Sequence, residues 1–155
     1  MAQPPGNGSS INRDLGTKVK HVNALTCVLG NNNTEGTGTG VDLKGFEGAQ
    51  VVFNIGDSGD TLSGSLYIVL GVEHSDEAAA NFTALNATTQ MRSESGNNLT
   101  IDAPAEDTLC AVVTVLPGAG VKRYIRPVIA FTGTHTNGIP ISATVAKGFP
   151  RIEST

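Results

Sequence analysis

The chain has 155 residues, a net charge of −4 and only 15% charged residues, while Gly, Thr and Asn are abundant at 19, 17 and 12. The acidic balance argues against a nucleic-acid partner, because phosphate binding needs a surplus of basic residues. No apolar run is long enough to span a membrane, and the first ten residues lack the pattern of a secretory signal. We therefore expect synthesis in a cytoplasm and no membrane contact.

Residues 1–17 contain two prolines, three glycines and few apolar side chains. A segment of this composition does not offset the entropy cost of ordering on its own. We predict a flexible N-terminal arm over 1–17, which orders on a neighbouring molecule, and a single domain over 18–155. The candidate partner contacts of the arm are Pro4, Pro5, Ile11 and Leu15.

Alternation of apolar and polar residues predicts short strands along most of the domain. The predicted strands lie at 18–29, 40–43, 49–55, 64–72, 99–101, 108–116, 122–133 and 138–146. Gly, Asp and Ser at 56–63 predict a β-hairpin between the third and fourth of these strands. Pro127 cannot donate to a strand ladder, so we expect its strand to be at a sheet edge or bulged there.

The segment 74–98 has two interpretations. Ser75 is a suitable cap for a short helix over 76–80, whereas a loop with a short strand near 82–85 fits the same residues. Little helix is predicted elsewhere. About eight short strands separated by turn residues indicate an all-β protein, an antiparallel β-sandwich for which a jelly roll is a candidate topology.

The letters Gly56-Asp57-Ser58-Gly59 match the start of the motif around the nucleophile of chymotrypsin-like proteases. That fold places its histidine first, and the only histidine before Ser58 is His21, which leaves too little chain for a first barrel. The next position of the motif requires Gly, and here it is Asp60. We therefore assign Ser58 to a turn and predict no catalytic residue.

The stretch 73–77 holds one histidine and three carboxylates, the densest group of candidate metal ligands. Neighbours on a strand point to opposite faces, and one imidazole is a poor basis for a metal site, so a solvated turn is expected. No metal or cofactor is predicted. Cys27 and Cys110 are expected as small buried apolar residues, with a disulfide between them as the alternative.

Half of the ten cations lie in the last 34 residues of the chain. They are Lys122, Arg123, Arg126, Lys147 and Arg151. In a chain so poor in charge, this cluster is a candidate contact with an acidic patch on a partner. Solvated strand ends are the alternative interpretation.

Three segments carry a resemblance to a known family. They read VDLKGFEG at 41–48, GVKRYIR at 120–126 and KGFPR at 147–151. From residue 40 onward the chain resembles small proteins of tailed-bacteriophage and prophage structural-gene clusters, from which it departs at 74–107 and in the arm. The resemblance implies a capsid decoration (cement) protein, made in the bacterial cytoplasm, that binds the major capsid protein on the outer surface of the head.

The strand at 108–116 is apolar on both faces, since Cys110, Val112 and Leu116 alternate with a second apolar row. A two-layer sandwich buries one face of each strand, so the second face indicates contact with another copy or cover by residues 74–107. We expect a homo-oligomer that matches the local symmetry of a capsid, with a homotrimer favoured over a dimer.

Two other functions remain open at this point. A head–tail joining or tail protein would share the same composition. A carbohydrate-binding module is also a β-sandwich, but its sites use aromatic platforms, and this chain has no Trp and only two Tyr, Tyr67 and Tyr124.

Overall fold

The computed structural model describes residues 18–94, 99–104, 106, 109–116, 118 and 120–150. The strands formed there are β1 (Val19–Gly30), β2 (Val41–Asp42), β3 (Phe46–Ile55), β4 (Tyr67–Ser75), β5 (Thr83–Ala84), β6 (Met91–Ser93), β7 (Thr100–Ile101), β8 (Leu109–Val115), β9 (Tyr124–Thr132) and β10 (Ile139–Pro150). The predicted arm, with Pro4, Pro5, Ile11 and Leu15, lies outside the described residues, as does Arg151.

The strands form two antiparallel sheets, which confirms the predicted β-sandwich. Sheet A has the order β1-β10-β3-β8-β6, and sheet B has the order β2-β9-β4-β5 with β7 also paired to β4. The first four strands alternate between the sheets along the chain, and so do β8, β9 and β10, which is the strand order of a jelly roll. The described part has ten strands instead of about eight, because β5 and β6 add short ladders at the sheet edges.

One face of each long strand points into a common apolar core. On β3, Val51 and Phe53 are fully buried while Gln50 and Asn54 are exposed, as the two-residue period of a strand requires. The largest fully buried apolar side chains are Phe53, Ile68, Ile125, Ile129, Ile139 and Ile141. Both sheets contribute to this set, so the core lies between the two layers.

The predicted hairpin between β3 and β4 is wrong. β3 lies in sheet A between β10 and β8, whereas β4 lies in sheet B, so the loop 56–66 crosses from one sheet to the other. Asp60 in this loop accepts hydrogen bonds from the backbone amides of Asn137 and Gly138, at 2.9 and 3.1 Å. Ser58 lies in the same loop, as predicted. The alternation of the two strands is the same in a hairpin and in a crossover, so sequence alone did not separate them.

The prediction for Pro127 is also wrong, because β9 is neither an edge strand nor bulged. β9 pairs with β4 in continuous register on one side and with β2 on the other. The Pro127 carbonyl accepts from the Gly38 amide at 2.9 Å. The Pro127 nitrogen faces the same neighbour, the segment that contains Gly38. In that segment the next amide, of Thr39, donates to the Ala24 carbonyl of β1 and not to β9. No donor is therefore missing at this position.

The ambiguous segment after β4 contains no helix among its described residues. The Ser75 hydroxyl donates to the Ala80 carbonyl at 2.6 Å and accepts from the Glu77 amide at 3.0 Å, which closes a bend. A short strand at Thr83–Ala84 then pairs with β4, in agreement with the second interpretation. The part of the chain that the structure describes contains no helix long and apolar enough to cross a membrane.

Both cysteines are free and exposed, so the expectation of buried thiols is wrong. Cys110 pairs with Asn54 across β8 and β3, and both side chains lie on the outward row of sheet A. Alternate residues of a strand point outward whatever their polarity, and Cys110 is one of the outward residues of β8.

Candidate functional site

The three segments that carry the family resemblance meet at one end of the sandwich. β2 and the start of β3 supply the first segment, the approach to β9 supplies the second, and the end of β10 supplies the third. We call this region the basic end. It comprises residues 18–20, 41–49, 74–76, 120–123 and 145–148.

Asp42 and Arg123 form a two-point ion pair at the basic end. Arg123 Nε donates to Asp42 Oδ1 at 3.0 Å, and Nη2 donates to Oδ2 at 2.7 Å. The hydrogen bond from Arg123 is the main reason why the pKa of Asp42 falls from 3.8 to about 2, and the carboxylate in turn raises the pKa of Arg123. Both side chains remain more than one third exposed, so the pair lies at the surface.

Lys147 ties the two sheets together beneath this pair. Its side chain follows Ala143 and Val145 in the inward row of β10 and is buried. The amino group donates to the backbone carbonyl of Asp42 in sheet B at 2.7 Å and lies 4.7 Å from the centre of the Phe46 ring. Burial lowers the pKa of Lys147 below its usual value. Lys147 is therefore an internal crosslink and not a free surface charge.

Lys122 lies beside a buried histidine at the same end. Its backbone amide donates to His74 Nδ1 at 3.2 Å, and its amino group lies 3.7 Å from the Asp76 carboxylate. Burial lowers the pKa of His74, with Lys122 as a second cause. Glu73 and His74 point to opposite faces of sheet B, as alternation requires.

Arg126 lies apart from the other cations, on the outer face of sheet B. Its Nε and Nη2 both lie 2.7 Å from Glu73 Oε2, and Glu73 is directly opposite it across β4 and β9. The guanidinium also stacks 4.2 Å from the centre of the Phe82 ring. Four of the five cations proposed from sequence thus have partners within the chain, and three of them meet at the basic end. Lys147 is buried, and contact of Lys122, Arg123 and Arg126 with an acidic partner stays a prediction.

A cavity of about 290 Å³ opens at the basic end between the turn after β2 and the chain before β9. Its lining combines apolar Leu43, Phe46 and Val121 with the cationic side chains of Lys44 and Lys122. Sequence reasoning did not identify this cavity, because its two walls come from segments about 75 residues apart in the chain. The sequence signal that could have indicated the cavity is Phe46, which lies between Gly45 and Gly48. An aromatic residue in such a turn needs a packing partner.

Among the described residues, cations are confined to the half of the sandwich that contains the basic end, where carboxylates such as Asp42, Glu47 and Asp76 also lie. Arg92 on β6 belongs to this half, because it is opposite Thr114 near the end of β8. These cations are Lys18, Lys20, Lys44, Arg92, Lys122, Arg123, Arg126 and Lys147. The loops after β1, β3, β7 and β9 form the opposite end, which we call the acidic end. Its described residues include no Lys or Arg, and its carboxylates are Glu35, Asp57, Asp60, Asp102 and Glu106.

In the described part of the chain, no group of three or more His, Cys, Asp or Glu side chains is arranged to hold a metal ion. The guanidinium of Arg123 lies 5.0 Å from the centre of the Tyr124 ring. Tyr67 and Tyr124 are both half-buried in strands.

Comparison of the chain with protein-family models, curated proteins and solved structures found no match.

Proposed function

We propose that this chain is a structural virion protein that binds the outer surface of a tailed-phage head and stabilises the capsid through contacts with the major capsid protein. The polarity of charge along the sandwich carries the proposal. The described cations lie in one half, and the charged side chains described at the opposite end are all carboxylates, so the molecule approaches an acidic surface in one orientation. The basic end is then the face that meets the capsid.

The clustering of the three resemblance segments supports this proposal. Asp42, Arg123 and Lys147 come from different segments, and Asp42 accepts hydrogen bonds from both of the others, so the three segments build one end of the fold. Jelly rolls also occur in viral capsid proteins, which is support by analogy of fold only. Many copies with modest interfaces stabilise a shell through avidity.

Binding to heads prepared without this protein tests the proposal. We expect purified protein to sediment with such heads, with an affinity that falls as salt rises, because surface charge interactions are screened. Lys44→Gln at the basic end should weaken binding several-fold. Thr134→Glu at the acidic end changes the net charge by the same amount and should leave binding unchanged. Equal effects of the two variants would contradict a role for the basic end.

The location of the protein on the particle separates the proposal from a head–tail joining or tail role. Electron microscopy of labelled particles should show many sites distributed over the head, whereas a connector occupies one vertex. Heads without the protein should also fail earlier under heat and osmotic shock. Particles that lack the protein and remain as robust as complete ones would overturn the proposal.

A further inference from the structure

Three adjacent strands of sheet A, β10, β3 and β8, form a flat outer surface whose outward rows carry no charge, and Arg92 of β6 borders this surface opposite Thr114. These strands place their outward residues in register, so that Thr144, Val52 and Val112 form its central row. We call this surface the open face. It comprises Ser142, Thr144, Ala146 and Gly148 of β10, Gly48, Gln50, Val52 and Asn54 of β3, and Cys110, Val112 and Thr114 of β8.

The described part of residues 74–107 does not cover the open face. β5 and β7 pair with β4 in sheet B, and β6 extends sheet A in its own plane beside β8. The apolar outward row of β8 indicated either contact with another copy or cover by residues 74–107. The described residues of that segment do not cover the row, so for them the second interpretation is wrong. Cys110 accordingly remains exposed, and Val112 is only partly buried.

A groove crosses the open face where two glycines are opposite each other. Gly148 of β10 pairs with Gly48 of β3, and Val19, Glu47, Ala146 and Thr114 line the same groove, which has a volume of about 430 Å³. A Cβ atom built at Gly148 has no neighbour within 4 Å. The groove is therefore open space that side chains of another molecule can enter.

We propose that a second copy of this chain packs its own open face against this one. Each copy has a net charge of −4, so two copies repel least when they meet through the uncharged rows of their open faces. Sheets pack face to face about 10 Å apart with strands nearly aligned, which suits two flat surfaces of small uncharged residues. A surface that meets itself has two-fold symmetry, so this contact forms a dimer and not a trimer.

The size of the open face sets the strength of the association. Three strands about 4.8 Å apart, over seven residues of about 3.3 Å, cover roughly 330 Å² in each copy. This is less than half of the area that one partner buries in a standard stable interface. The dimer is therefore in equilibrium with the monomer at accessible concentrations. The inference does not depend on capsid binding.

Sedimentation velocity over a concentration series tests the dimer directly. We expect the mean mass to rise from that of one chain towards that of two as concentration increases. Ala146→Lys places a charge on the open face and should shift the midpoint to at least tenfold higher concentration. Ala130→Lys is the matched control, because it adds the same charge on the exposed outer face of sheet B. Circular dichroism checks that both variants are folded.

Cys110 provides a second readout that does not depend on mass. In Cys27→Ser protein, Cys110 is the single thiol, and its reaction with a soluble disulfide reagent should slow several-fold as the dimer forms. Ala146→Lys should restore the fast rate. A chain that stays monomeric, a trimer, or a Cys110 rate that is slow at every concentration would each overturn the proposal, the last because the chain then covers its own face. A monomer that still binds heads leaves the proposed function intact, whereas a dimer that does not bind them overturns that function alone.

Discussion

Asp42 and Arg123 are 81 residues apart in the chain, yet the guanidinium donates to both carboxylate oxygens across the edge of sheet B. The pair joins the two-residue strand β2 to the start of β9, where few other backbone bonds hold the edge. A short edge strand depends on such side-chain contacts more than a central strand does. The stability of the protein in acid therefore reports whether this ion pair at the basic end is intact.

The Asp42 pair should contribute stability that depends on acid pH. The folded pKa of about 2 lies below the usual 3.8, so the contribution is complete above about pH 4 and is lost as pH falls through 2. Asp42→Asn should lower the melting temperature at pH 7 and flatten its decline between pH 4 and 2. Thermal melts followed by circular dichroism measure this. Asp57→Asn in an exposed loop should keep the wild-type slope, and the same slope in Asp42→Asn would contradict the prediction.

The Arg126–Glu73 pair should be worth more than the other ion pairs. Both side chains are about three quarters buried, so Glu73→Gln leaves a largely desolvated guanidinium without its carboxylate. We expect a loss of about 1–3 kcal/mol in the free energy of unfolding, measured with urea. Adding Arg126→Met to Glu73→Gln should recover part of this loss, because the unpaired charge is then removed.

Asp76→Asn is the control for the Arg126–Glu73 experiment. Its carboxylate is 74% exposed and lies 3.7 Å from Lys122, so the change should cost about 0.5 kcal/mol or less. If Asp76→Asn and Glu73→Gln cost the same, burial does not determine the strength of these pairs.

His74 should make the protein less stable below neutral pH. Its folded pKa is lowered by burial, so as pH falls below 6.5 the unfolded chain binds a proton that the folded chain does not. The free energy of unfolding should therefore decline between pH 7 and 5, and His74→Gln should flatten that decline. The slope is the quantity to compare, since the substitution also changes packing. His21→Gln, on the exposed side of β1, should retain the wild-type slope.

Gly36 should not tolerate a side chain. It pairs with Ile129 of β9, and a Cβ atom at Gly36 would overlap the Ile129 carbonyl oxygen. Gly36→Ala should cost about 1–3 kcal/mol, because backbone cannot shift as a flexible side chain does. Gly64→Ala is the matched control, since a Cβ there has no neighbour within 4 Å. Urea unfolding of both variants tests the prediction, and equal stability would contradict it.

The position of Lys147 shows how much of the site the sequence contained. The predicted strand over 138–146 places Ala143 and Val145 in one row, and the structure continues that row beyond the predicted end to the buried Lys147. The phase of the strand, extended by one residue, points this cation inward, which differs from the partner contact expected from sequence. Its acceptor, the carbonyl of Asp42, is 105 residues away and belongs to the other sheet, so no local pattern could identify it.

Strand positions, the all-β class and the turn at Ser58 are local properties, since a period of two residues and the turn preferences of Gly, Asp and Ser are visible within a few positions. The partner of each strand is a long-range property. β1 pairs with β10 near the opposite end of the chain, and β3 pairs with β10 and β8 instead of β4. Those choices depend on which faces fit together in the core, and they alone bring the described cations into one half, a separate group of carboxylates to the opposite end and the uncharged rows onto one open face.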